Sequence, residues 1–233
     1  MAGLSNAHHF RKMIAGICMV FAPLLLLVGL VIHPETGTEA SSMIAAAAQD
    51  PDAWYLAHLL VLVSLVLAVP AVLGLMHMLR EREVAMGHLG GGLGLLGILA
   101  FVGIVSMEGF AGWQAGAGDR SEMVALFDRL YDTAGVVIPF YVMSFAFTLG
   151  ILCLAYGLYR ARAVQSWMAL FLGISAVLLA IAFPMASELV SIIGAAFLLV
   201  GLGSIGRMVL SESDEAWEHT PEYEGFRPLA GMR

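Results

Sequence analysis

Five ionisable residues lie at the ends of apolar runs. They are His33 in Ile32-His33-Pro34, His58 in Trp54-Tyr55-Leu56-Ala57-His58, Glu108 in Met107-Glu108-Gly109, Asp132 ahead of the fourth run, and Glu188 between the fifth and sixth. Two imidazoles and a carboxylate make a donor set for zinc, copper or iron, so His33, His58 and Glu108 are the candidate metal ligands. The same side chains exchange protons near neutral pH, where histidine titrates, and with Asp132 and Glu188 they form a candidate gate for protons or a small solute. Ionisable groups at membrane depth mark functional sites, but near the interface their burial costs less. A structural reading is therefore open too: a His58–Glu108 pair tying two helices together, and Asp132 and Glu188 capping helices in water.

A second pair, His77 and His88, falls at the opposite ends of the same runs. His58 and His77 are 19 positions apart. At 1.5 Å and 100° per helical residue they sit about 28 Å apart along the axis and about 100° apart around it. One helix therefore carries no histidine wire. Haem held by His33 with His58, or by His77 with His88, is compatible in depth. Enzyme signatures are otherwise missing: the chain has no HExxH, GxSxG or CxxC. Its one lysine, Lys12, lies outside the apolar runs, which excludes a retinal Schiff base in the bundle. Gly116-Ala117-Gly118-Asp119 and Tyr131-Asp132 imitate the paired motifs of intramembrane aspartyl proteases. Both fall in one loop, whereas that chemistry needs facing aspartates within the membrane. Cys18 and Cys153 sit inside apolar runs and behave as small apolar residues.

The elements that position these groups follow from hydropathy. Of 233 residues, 60% are hydrophobic and 12% charged, and the mean hydropathy is +0.89. A chain so poor in polar surface belongs in lipid. About 20 apolar residues span the hydrocarbon as a helix, and six stretches qualify: Met13–Ile32, Trp54–Leu79, Leu89–Gly109, Gly135–Tyr159, Trp167–Met185 and Leu189–Val209. The fold class expected is all-α, a polytopic bundle of six transmembrane helices with short amphipathic helices in the outer loops. Residues 1–12 form a cytoplasmic N-terminus, 13–210 the membrane domain and 211–233 an acidic cytoplasmic tail, expected to be disordered in isolation. The first run is too long for a signal-peptide core and is read as a retained helix.

Six alternating crossings put Arg11, Lys12, Arg80, Arg82, Arg160, Arg162, Arg207, Arg227 and Arg233 on one side, and only Arg120 and Arg129 on the other. This bias makes the first side cytoplasmic. Two outer loops carry short helices. Ser41–Gln49 is alanine-rich and ends before Pro51, with Asp52 expected to cap the second span. Met123, Leu126, Phe127, Leu130 and Tyr131 recur at helical spacing in the second loop, an amphipathic helix.

Gly90, Gly91, Gly92, Gly94, Gly97 and Gly103 line the third span, where small residues let helix backbones approach, so residues 89–109 are the candidate surface for a membrane-protein partner or a second copy. Gly201-x-Gly203-x-x-Gly206 spells a dinucleotide fingerprint, but inside an apolar span it reads as packing. Pro70 and Pro139 are candidate kinks. The net charge of −7 and the lack of a basic stripe argue against nucleic-acid binding.

The order of His-Pro closing the first span, Trp-x-x-x-His opening the second and an acid-Gly pair ending the third resembles six-helix bacterial integral membrane proteins of no assigned function. That resemblance covers roughly residues 10–210 and implies the architecture and the inner-membrane location, with no mechanism. The function expected is a non-enzymatic accessory or partner-binding subunit. The alternatives are a small-solute, proton or metal transporter using the outer His/Glu groups, and a haem- or metal-dependent redox protein.

Overall fold

Long apolar runs without Lys or Arg leave the backbone no choice in lipid but to satisfy its own hydrogen bonds as helix. The computed structural model describes residues 2–37, 39–182 and 184–219, with the side chains of 2–6 and 115–117 set aside. Those residues form α1 (Ala2–Ile32), α2 (Ala40–Gln49), α3 (Pro51–Met78), α4 (Val84–Ala117), α5 (Arg120–Asp132), α6 (Ala134–Ala161), α7 (Ser166–Ala182), α8 (Glu188–Ser211) and α9 (Asp214–Trp217). No strand occurs among them.

Five helices, α1, α3, α4, α6 and α8, are long and apolar enough to cross a membrane. α7, at 17 residues, is apolar but shorter than the expected Trp167–Met185, because the helix stops at Ala182 before the turn around Pro184. The expected third span grows at both ends into the 34 residues of α4. Residues 2–12, expected as a separate terminus, continue the first helix without a break.

Each long helix packs on its sequence neighbours and α8 returns to α1, so α1, α3, α4, α6, α7 and α8 close a ring. Local chemistry makes the corners. Asp50, not the expected Asp52, caps α3: its carboxylate accepts from the Ala53 N–H at 3.0 Å, and Pro51 occupies the first turn, where a missing N–H costs nothing. Arg162 ends α6 in the left-handed region at φ 54°. Ser187 caps α8 by accepting from the Val190 N–H.

α2 and α5 lie over one end of the ring, here the cap end, and the start of α1 meets α9 at the other, the clasp end. The core is concentrated toward the clasp end, where Met19, Leu79, Leu154, Leu158, Leu172 and Ile205 are wholly enclosed. Toward the cap end packing loosens: between Val136 and Leu149, α6 buries only Phe140.

Glycines set the close crossings. A Cβ on Gly90 would lie 2.8 Å from the Gly150 carbonyl of α6. Gly201 turns to the backbone of α7, with Leu172 N 2.8 Å from its Cβ position, and Gly206 to α1, 2.8 Å from the Gly16 carbonyl. The fingerprint-like triplet thus serves two helix contacts, as its membrane setting implied.

Candidate functional site at the cap end

Beginning α3 at Pro51 places Trp54 and His58 one helical turn apart on one face. The His58 Nδ1–H donates to the Trp54 carbonyl at 2.9 Å. His33 follows directly on α1, and its Nδ1–H donates to the Pro34 carbonyl at 2.8 Å. The three rings gather: centroids are 4.5 Å apart for Trp54 and His58, 4.9 Å for His33 and His58, and 5.0 Å for His33 and Trp54. With both Nδ1 atoms donating, the neutral imidazoles carry their lone pairs on Nε2. Burial pushes the His33 imidazole below its ordinary value, against the opposing bond to Pro34.

α4 approaches these rings through two glycines. A Cβ on Gly109 would stand 2.6 Å from His58 Cβ, and one on Gly112 2.7 Å from Trp54 Nε1. The Trp54 indole N–H reaches the carbonyls of Glu108 and Gly109, both at 3.2 Å. These bonds, rather than the expected His58–Glu108 pair, tie α3 to α4. The Glu108 carboxylate turns to α5, where the Tyr131 hydroxyl donates to its Oε1 at 2.6 Å. Burial first, and the neighbouring carboxylate second, push the Tyr131 phenol above its ordinary value. Over them α2 contributes Met43, Ile44 and Ala47 to a buried cluster with Trp54 and Phe127. Trp54 is 1% exposed, which makes it the closed floor of the site.

His33, His58 and Glu108 are thus brought into one region, but the carboxylate is directed to Tyr131. Among the described residues no three His, Cys, Asp or Glu side chains converge as a metal-binding group. Asp132 ends α5 exposed and apart from the rings. Glu188 opens α8, and its Oε1 is buried without a partner among the described residues. An open cavity of about 510 Å³ lies beside the rings, between the end of α1, α2 and the start of α3, with Pro34, Glu35, Gln49 and Asp50 in its lining.

A second polar centre lies at the clasp end, where His77 and His88 do not meet. His88 is exposed and bonds to the Val84 carbonyl of its own helix. The His77 ring stacks on Trp217 at 4.5 Å, and its Nε2–H donates to the Trp217 carbonyl at 3.0 Å. Arg80 donates to the carbonyls of His77 and Trp217, at 2.7 and 3.1 Å. Lys12 is 5% exposed and pairs with Asp214 at 2.5 Å while donating to the Glu212 carbonyl at 2.8 Å. His9 meets Asp214 at 3.1 Å, and His8 meets Glu218 at 2.7 Å. Residues 212–219, part of the tail expected to be disordered in isolation, are docked on the bundle, because their carboxylates and Trp217 answer basic and aromatic groups on α1 and α3. Residues 220–233, with Arg227 and Arg233, lie outside the described residues.

Sequence reasoning missed the importance of Trp54, Tyr131, Lys12 and Trp217. Tyr131 had a signal: it stands one turn after Phe127 on the amphipathic α5. In comparisons with known proteins, no family model, no curated protein and no solved structure matches the chain.

Proposed function

We propose that the chain is a non-enzymatic subunit of the cell's inner membrane, crossing it six times with both termini cytoplasmic, and that its capped outer end is the surface a partner membrane protein reads. The membrane reading rests on the five long apolar helices; the orientation rests on nine basic residues on one side against two on the other. The observation that favours a structural role is the way the outer polar groups are satisfied inside the chain. Trp54, His58, Glu108 and Tyr131 bond to one another or to backbone, and so build a rigid cap rather than an unsatisfied reactive centre. The closely packed clasp-end half also opposes a path for solute through the ring. Leu126 and Trp113, 54% and 42% exposed, present apolar side chains at the cap end. A photo-crosslinking residue at Leu126 is expected to capture another membrane protein in intact cells, and one at Val84 is not. Capture of nothing at Leu126, or equal capture at both positions, contradicts the reading.

One observation favours a second reading, an outer metal- or proton-binding site. The two Nε2 lone pairs of His33 and His58 are left available on neighbouring rings whose Nδ1–H groups are fixed by carbonyls, as is usual for metal-bound histidine. Metal analysis and an absorption spectrum of detergent-purified protein beside His58→Ala decide it. Stoichiometric metal lost in the variant supports the second reading; metal-free, colourless protein of both kinds leaves the first.

A further inference from the structure

Two ring nitrogens at the cap end take no part in the bonds that build it. His58 is 8% exposed, yet only its Nδ1 is bonded, to the Trp54 carbonyl, and its Nε2 has no partner among the described residues. His33 is half-buried and likewise bonded only through Nδ1, to the Pro34 carbonyl. A polar nitrogen left unpaired in so enclosed a place costs free energy until something binds it. The two ring centroids are 4.9 Å apart. An ion about 2 Å from each nitrogen needs the Nε2 atoms about 4 Å apart, a spacing open to rings at that separation. Ile32 and Pro34, on either side of His33, line the cavity of about 510 Å³, which brings solvent to this end of the pair.

The donors decide which ion fits. Zinc in proteins takes three or four side-chain ligands, and non-haem iron takes a carboxylate with its histidines. Among the described residues no third His, Cys, Asp or Glu joins the pair as a metal-binding group, and the Glu108 carboxylate is held by Tyr131. Two neutral imidazoles bring no negative charge to offset a divalent ion. Desolvation rises with the square of the charge, so a divalent ion costs about four times as much to bury as a monovalent one of equal size. Copper(I) is monovalent, and its filled d shell accepts two nitrogen donors in line. The surroundings suit it, because Met43 and Met107 pack in the cluster around Trp54 and their thioethers are soft. The Trp54 ring, 4.5 Å from His58 and 5.0 Å from His33, sets an aromatic face beside a cation held there.

We propose that His33 and His58 form a copper(I) site, one ion bridging their Nε2 atoms beside Trp54. This rests on the second reading above, a metal site at the cap end, and commits that site to one ion. The Nδ1–H bonds to backbone carbonyls fix the tautomer that offers both Nε2 atoms to it.

The test uses the full chain, purified in detergent under nitrogen and given copper(I) or zinc in competition with a chromogenic chelator. Wild type is expected to hold one copper(I) per chain, with X-ray absorption showing two nitrogen neighbours, and no stoichiometric zinc. His58→Ala and His33→Gln are each expected to release copper(I) to the chelator while still melting cooperatively; His33→Gln, beyond the end of α1, decides the matter should His58→Ala fail to fold. Zinc held at one per chain while copper(I) goes to the chelator overturns the copper(I) assignment and keeps the metal reading. Retention of neither ion overturns both. Copper(I) kept by the folded variants, or four ligands in the absorption spectrum, puts the ion elsewhere and overturns the proposal.

Discussion

Replacing Tyr131 with Phe removes one hydroxyl and leaves the ring in place, so it isolates the bond that fastens α5 to α4. That bond runs from the Tyr131 hydroxyl to Glu108 Oε1 at 2.6 Å. Both residues are half-buried, and among the described residues the Tyr131 hydroxyl is the one side-chain donor to the carboxyl group. Losing a hydrogen bond of this kind costs about 1–3 kcal/mol, the upper end applying if the carboxyl is ionised. For a chain of this size each kcal/mol moves the melting temperature by about 2–4 °C, so a fall of roughly 2–12 °C is expected in detergent. Glu108→Gln keeps an acceptor but weakens it. A double-mutant cycle of Tyr131→Phe with Glu108→Gln is expected to show coupling of about 1 kcal/mol, since the two changes strike one bond. Hydrogen exchange in α5 should rise in Tyr131→Phe before it rises in α6. An unchanged melting temperature, or strictly additive variants, refutes the view that this bond holds the cap.

Three further outcomes follow from the same geometry. Gly109→Val puts carbon against His58, where even a Cβ would be 2.6 Å away, and is expected to destabilise by about 1–3 kcal/mol in thermal melts and to raise the fluorescence change of Trp54 on mild heating. Lys12→Met removes the partner of Asp214 and of the Glu212 carbonyl; because Asp214 is 41% exposed the stability loss should be about 1 kcal/mol or less, yet limited proteolysis should begin to cut within 212–219. His33 has its proton affinity lowered by burial, so the folded state disfavours its charged form. Its contribution is present above the ordinary histidine value of about 6.5 and is lost as pH falls below it, so the melting temperature should drop between pH 7.5 and 5.5 and the slope should flatten in His33→Gln. The Asp214 contribution should stay constant over that window: hydrogen bonds from Lys12 and then His9 hold its carboxyl below the usual range, so it is lost only as pH falls through that depressed value.

Hydropathy alone was enough to find the long helices, because lipid makes backbone satisfaction a local rule that side-chain detail rarely overrides. The expected Gly135–Tyr159 differs from α6 by a residue or two at each end. The short α7 departs because Pro184 and the left-handed Ala186 turn the chain early. The site was legible in part. His33 and His58 are neighbours because both stand at the cap ends of adjacent helices, which topology alone implies. Which way Glu108 points depends on Tyr131, and Tyr131 is brought over the bundle only by the turn at Asp119, which accepts from the Ser121 N–H at 2.9 Å to start α5. The docked stretch was hidden for a related reason: the acidic residues that follow α8 read as solvated sequence until α1 is seen to bring His8, His9, Arg11 and Lys12 to Asp214 and Glu218.

The central claim is a membrane-crossing bundle with its capped end outside and the clasp between α1 and α9 inside, and cysteine labelling tests it directly. In a Cys18→Ala, Cys153→Ala background, a cysteine at the exposed Asp132 and another at Glu215 would be treated with a membrane-impermeant maleimide on intact spheroplasts. The account predicts rapid labelling at position 132 and labelling at 215 only after the membrane is opened. Labelling at 215 on intact spheroplasts, or protection at 132, would contradict it.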